Sequence, residues 1–278
     1  MHGNFWFALG LSAAAATATT LGSLLGMLVH RPGTRFMAFS LGFSAGVMMF
    51  VSFAELLWSS IHEIGFAYAT VGFFGGLLLM FVIDIVVPHT FIGEHGGTNP
   101  AAECGDWAEG RRMGWRHRHQ HGAGLEPARL LRAGLMIALG IGIHNLPEGM
   151  ATFTGAIKSR GLGIAIAAAI ALHNIPEGLA VAVPVFCATG SRGKALGWSA
   201  ISGGAELLGA LLAAAVLMPL LTPVFLAWVL AAVAGLMVFV SLDELIPGSY
   251  AYDREHFSVA GVISGMALMA ISIWLLGK

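Results

Sequence analysis

The segment HNLPEGMA at 144–151 returns as HNIPEGLA at 173–180, identical at six of eight positions. Each copy sets a His and a Glu four residues apart, hence on one face of a helix, with an Asn about 100° round from the His. Imidazole nitrogen, amide oxygen and carboxylate oxygen form a mixed shell with no sulfur. Such a shell suits Zn2+, Fe2+, Mn2+ or Co2+ and argues against Cu(I). The candidate metal ligands are His144, Asn145, Glu148, His173, Asn174 and Glu177, with Glu206 from the segment ISGGAELLG. Three carboxylates leave room for two ions bridged by Glu148 and Glu177. Pro147 and Pro176 each remove an intrahelical hydrogen bond, freeing the carbonyls of Ile143 and Leu172 and kinking the helix. Gly149 and Gly178 allow a backbone or an ion to come close.

Seven acids fall inside apolar stretches: Glu55, Asp84, Glu148, Glu177, Glu206, Asp243 and Glu244. No Lys or Arg lies deep in any of those stretches. A charge at a bilayer centre costs at least ~2.5 kcal/mol, so acids in this number demand water, protons or a bound cation. At ~1.5 Å per residue, His144, His173 and Glu206 lie ~17–21 Å from the starts of their spans, near the midplane. By the same estimate Glu55 falls at the outer mouth, and Asp84, Asp243 and Glu244 at the inner mouth. The carboxylates therefore mark an entrance, a central site and an exit.

The elements that must hold these residues are membrane helices. Of 278 residues, 57% are hydrophobic and 10% charged, and mean hydropathy is +0.80. A water-soluble domain carries about 25% charged residues. Apolar runs at 5–29, 36–58, 66–88, 130–157, 162–187, 194–218, 222–247 and 257–277 each reach the ~20 residues a spanning helix needs. The predicted fold is all-α, a polytopic membrane protein of eight transmembrane helices. AGVMMFVSFAEL (45–56) matches AGLMVFVSLDEL (234–245) at eight of twelve positions. One copy is in an even-numbered span and the other in an odd one, which makes an inverted repeat. Inverted repeats with a site between them mark secondary transporters, and the scheme implied here is 3+2+3.

Eleven of the fourteen Lys and Arg residues fall in the loops after spans 1, 3, 5 and 7. The positive-inside rule then puts both termini outside the cytoplasm. Residues 1–29 have no basic n-region and too long an apolar stretch for a signal peptide, so they read as the first span. Net charge is −1, which gives no reason to expect nucleic acid. Cys104 and Cys187 form neither a disulfide framework nor a thiolate site. Two other functions compete with a carrier: an intramembrane zinc-dependent hydrolase and a non-selective cation or proton channel. No HExxH motif supports the first, and the second leaves the His/Asn pairs without a role.

At HNLPEGMATF, ALHNIPEGLAVAVPV, ISGGAELLG, FSLGFSAGVMM and VAGLMVFVSLDELIP the chain resembles the ZIP (Zrt-, Irt-like protein) family of metal transporters, in particular its bacterial ZupT-like branch. The resemblance covers essentially all eight spans. It implies a non-enzymatic carrier in the bacterial inner membrane that brings divalent metal (Zn2+, with Fe2+, Mn2+, Co2+ and Cd2+) into the cytoplasm. The metal is substrate, not cofactor. It also implies that His144, Glu148, His173 and Glu177 hold one ion, while Asn145, Asn174 and Glu206 hold a second with the shared Glu148 and Glu177. Expected partners are the metal, bilayer lipid and, in a homodimer, a second copy of the chain. The whole chain then forms one transporter domain, interrupted by a cytoplasmic loop at 89–129. That loop carries His89, His95, His117, His119 and His121, readable as a low-affinity metal buffer or equally as a basic linker.

Overall fold

The computed structural model describes residues 2–28, 33–86, 127–217 and 222–275. Every regular element among them is helical. The first rod, α1, is His2–Leu28. The second, α2, runs Thr34–Val51, opens into a π-helical stretch Ser52–Leu57, and resumes as Trp58–Ile64. Next come α3 (Phe66–Val86), α4 (Pro127–Lys158) and α5 (Arg160–Thr189). The sixth, α6, is Arg192–Leu212 followed by π-helical Ala213–Leu217. The seventh, α7, is Pro223–Val240, π-helical Ser241–Leu245 and Ile246–Tyr250, and α8 is Glu255–Leu275. Seven of these rods are long and apolar enough to cross a bilayer; α4, at 32 residues, is not one of the seven. Among the described residues the helices fall on the expected apolar runs, and α2 runs on to Ile64. His89, His95, His117, His119, His121 and Cys104 lie outside the described residues.

Local chemistry explains where the rods stop. Gly65, at φ +82°, is the whole link between α2 and α3, and that backbone conformation favours a residue without a Cβ. Ser159 is the whole link between α4 and α5, and its side chain accepts a hydrogen bond from Leu162 N at 3.1 Å. Gly190 closes α5 in the left-handed conformation; Ser191 then caps α6 through Lys194 N at 3.3 Å. Thr222 caps α7, with Pro223 at the position where a missing N–H costs least.

The rods pack as two interleaved sets. In one, α1 lies against α5 and α6, and α4 against α5 and α6; in the other, α2 lies against α8 and α7, and α3 against α7. Large apolar side chains on α3 and α8, such as Phe74, Leu78, Ile85, Ile263 and Trp274, point outward, as a lipid-facing surface allows. Close crossings follow the repeat. A Cβ on Gly46 of α2 would strike Val262 O of α8, and one on Gly235 of α7 would strike Phe73 O of α3. The partners exchange at the same offset that aligns AGVMMFVSFAEL with AGLMVFVSLDEL. Ser52 and Ser241, also mates, donate to Met48 O at 2.7 Å and Met237 O at 2.8 Å. Each opens a π-helical stretch that ends near a buried acid, Glu55 or Glu244.

Gly46→Ala or Gly235→Ala must push two backbones apart, an overpacking cost of about 1–3 kcal/mol. Either variant is expected to lower Tm in detergent, whereas Gly10→Ala, which has open space around it, is expected to leave Tm unchanged.

Candidate metal centre

Helices α4 and α5 run antiparallel from the Ser159 link, and both stay helical through Pro147 and Pro176. Their motif residues meet inside the α1/α4/α5/α6 set. Glu148, His173 and Glu177 each offer a ligand atom within 4.8 Å of the others, and all three are buried. Among the described residues they form the one such group of three. His173 Nε2 lies 3.2 Å from Glu148 Oε1. The side chain of His144, the fourth expected member, lies outside what the structure describes, although its backbone continues α4.

Asn145 and Asn174 are wholly buried. Asn174 Nδ2 donates to Glu206 Oε2 at 2.9 Å and to Ala15 O at 3.3 Å, while Asn145 Nδ2 donates to Ser202 O at 3.2 Å. Glu206 therefore joins the group through an amide from α5. With their N–H groups committed, both amides keep their oxygens available. Asn145 Oδ1, Asn174 Oδ1, Glu148 Oε2 and Glu206 Oε1 are buried with no hydrogen-bond partner among the described residues. Buried acceptors ordinarily find a donor. Oxygens left over on four converging residues suit a cation.

The remaining expected acids lie apart. Glu55 is buried and lines a cavity of about 480 Å3 with Ser59, His62, Glu63 and Lys158. Asp84 is half-buried near the end of α3, Asp243 is exposed, and Glu244 is buried beside it. None of the four belongs to the three-residue group.

The sequence of the chain matches the profile described as ZIP zinc transporter over residues 11–273. It is 44% identical to the zinc transporter ZupT of Corynebacterium efficiens over 98% of both chains. Against the ZupT proteins of Chlorobium limicola and Lysinibacillus sphaericus it is 43% and 44% identical, again over nearly the full length of each. The chain belongs to the ZIP family.

Sequence reasoning missed several residues of this ZIP chain. Ser44 of α2 donates to His173 O at 3.3 Å, tying the second helix set to the motif; a Ser inside an apolar run gave no hint of its target. Lys158 pairs with Glu63 Oε2 at 3.5 Å and donates to Ser59 Oγ at 3.0 Å, bridging α4 to α2. The lone basic residue at the end of the HNLPEGMA helix was the available signal. His62, whose ring Nδ1 bonds Trp58 O at 3.0 Å, lies beyond the apolar run 36–58.

Asn174→Ala takes the amide donor from a buried carboxylate, a loss of about 1–3 kcal/mol. Tm of the metal-free protein is expected to fall more than for Asn145→Ala, whose amide serves only a helical carbonyl.

Proposed function

We propose that this protein carries Zn2+ and related divalent ions (Fe2+, Mn2+, Co2+, Cd2+) across the bacterial cytoplasmic membrane into the cell. The observation that carries the reading is the Glu148–His173–Glu177 group: three donors within 4.8 Å, fully buried in a membrane-spanning body. The unpartnered Asn145, Asn174 and Glu206 oxygens beside it extend the donor set towards a second ion, with His144 completing the first. The relatives are zinc transporters by name, and neither a hydrolase nor a channel accounts for amide oxygens held in reserve around paired carboxylates. In transport terms, Glu55 draws the ion into its cavity and the central donors replace its water. Asp84, Asp243 and Glu244 then pass it inward.

Inverted repeats commonly provide alternating access by the movement of one repeat against the other. The packing favours a different division, because each helix set takes members from both repeats. Relative motion of α1/α4/α5/α6 against α2/α3/α7/α8 exposes the site to one side and then the other. Zn2+ entry into liposomes, followed with a trapped indicator, is expected to saturate for the wild type and to vanish for Glu148→Ala/Glu177→Ala. Equal entry in both would remove the site from the pathway.

The reading takes α4 as the eighth span, in a 3+2+3 order with both termini outside the cytoplasm. It is supported by the length of α4, by the one-residue link to α5 and by the distribution of Lys and Arg. A second copy packing on the apolar α3 and α8 faces would give the expected homodimer. In a Cys187→Ala background, an impermeant maleimide applied to whole cells is expected to label Ser159→Cys at once and Cys104 only after permeabilisation. Labelling of Cys104 in intact cells would reverse the topology.

A further inference from the structure

The body that holds the metal centre is built twice. Asn145 of α4 donates to Ser202 O of α6, and Asn174 of α5 donates to Ala15 O of α1. Gly149 of α4 faces Glu206 O of α6, and Gly178 of α5 faces Thr19 O of α1. Gly209 of α6 faces Leu146 O of α4, and Gly22 of α1 faces Ile175 O of α5. In every couple the α4 and α5 residues exchange at one constant offset, and the α6 and α1 residues at another. The exchange pairs Asn145 with Asn174 and Glu148 with Glu177. It pairs Glu206 with Thr19.

That last pair breaks the symmetry of the donor set. Thr19 is fully buried, and its Oγ1 has no hydrogen-bond partner among the described residues. The hydroxyl lies 3.1 Å from where a Cβ on Gly203 of α6 would sit, so it faces α6. By these offsets Thr19 holds on α1 the position in the helix register that Glu206 holds on α6.

We propose that Thr19 is a specificity-determining residue of the metal centre: as the neutral counterpart of Glu206, it leaves three carboxylates where symmetry provides for four, so that a second divalent ion binds weakly and leaves readily. The proposal rests on the metal-site reading above. Carboxylates ligate in their deprotonated form, so three of them bind the first divalent ion with one negative charge to spare and still attract another cation. The second turns the buried site net positive, which a low-dielectric interior penalises. A fourth carboxylate would let two ions close the charge at zero and hold both. The Thr19 hydroxyl supplies instead an uncharged oxygen, enough to receive the second ion and not to retain it.

The test measures Zn2+ binding by calorimetry on the purified full chain, and Zn2+ uptake in liposomes, for three variants. Thr19→Asp adds the fourth carboxylate; it is expected to tighten the second binding step by at least about tenfold and to slow uptake in proportion. Thr19→Val keeps the shape and removes the oxygen; it is expected to weaken the second step and leave the first within about twofold. Wild-type second-step affinity and uptake in Thr19→Asp overturn the proposal. If that variant does not fold, Thr19→Val decides, and an unchanged second step in it is equally fatal. Glu148→Ala/Glu177→Ala separates the two layers of inference. Should it bind Zn2+ like wild type, the metal-site reading fails with everything built on it. Should it lose binding while both Thr19 variants match wild type, the Thr19 proposal alone falls.

Discussion

Everything in this molecule follows from placing carboxylates where neither water nor a fixed positive charge compensates them. Glu148, Glu177 and Glu206 are buried within a bundle of apolar helices, and no Lys or Arg occupies the middle of any span. The cost, at least ~2.5 kcal/mol for each charge at the bilayer centre, must be met from outside the protein. Arginine would satisfy the acids permanently and close the site. Amides satisfy them in part: Asn174 lends Glu206 one N–H and turns its own oxygen elsewhere. The proposed centre thus keeps oxygens without a donor among the described residues, as a site that receives and releases a cation requires.

The same constraint explains the backbone around the centre. Amide and carboxylate groups are short, so helices must approach closely for donors on α4, α5 and α6 to converge. Gly149 sits against Glu206 O and Gly209 against Leu146 O, contacts a methyl group would forbid. In lipid, where apolar burial does not drive helices together, such close backbone packing carries much of the association. The glycines of the HNxPEG repeats are therefore packing devices that bring these side chains within reach of one another. Polar contacts cross from this body to the other helix set at Ser44, which donates to His173 O, and at Lys158, which bonds Ser59 and pairs with Glu63. Any relative motion of the two sets has to break or remake them.

Much of this was readable from residue order. The helical class and the run of apolar spans follow from composition, because a transmembrane helix must satisfy its own backbone and so announces itself by length. The meeting of Glu148, His173 and Glu177 follows from a duplicated i, i+4 spacing on adjacent antiparallel rods. The π-helical stretches at Ser52–Leu57 and Ser241–Leu245 did not emerge. One extra residue per turn leaves no mark on hydropathy, although the matched SFAEL and SLDEL segments are where they fall. Nor did Ser44, Ser59 or Thr19 declare themselves. A hydroxyl in an apolar helix most often bonds its own preceding turn, as Ser52 and Ser60 do, so its partner on another helix is set by packing alone. The interleaving of the two repeats was hidden for the same reason: chain order divides the helices into halves, and contact divides them otherwise.

The links between α4, α5 and α6 carry a last consequence. Ser159 alone joins the first two, and Gly190 and Ser191 join the next. One uninterrupted zigzag of chain thus bears Asn145, Glu148, His173, Asn174, Glu177 and Glu206. Rods hinged so tightly cannot tilt independently, and a lengthened hinge would let them drift out of register. Over evolutionary time a point replacement on these rods would keep that register where an insertion would not, and Thr19, on a separate rod, can change without disturbing the zigzag at all.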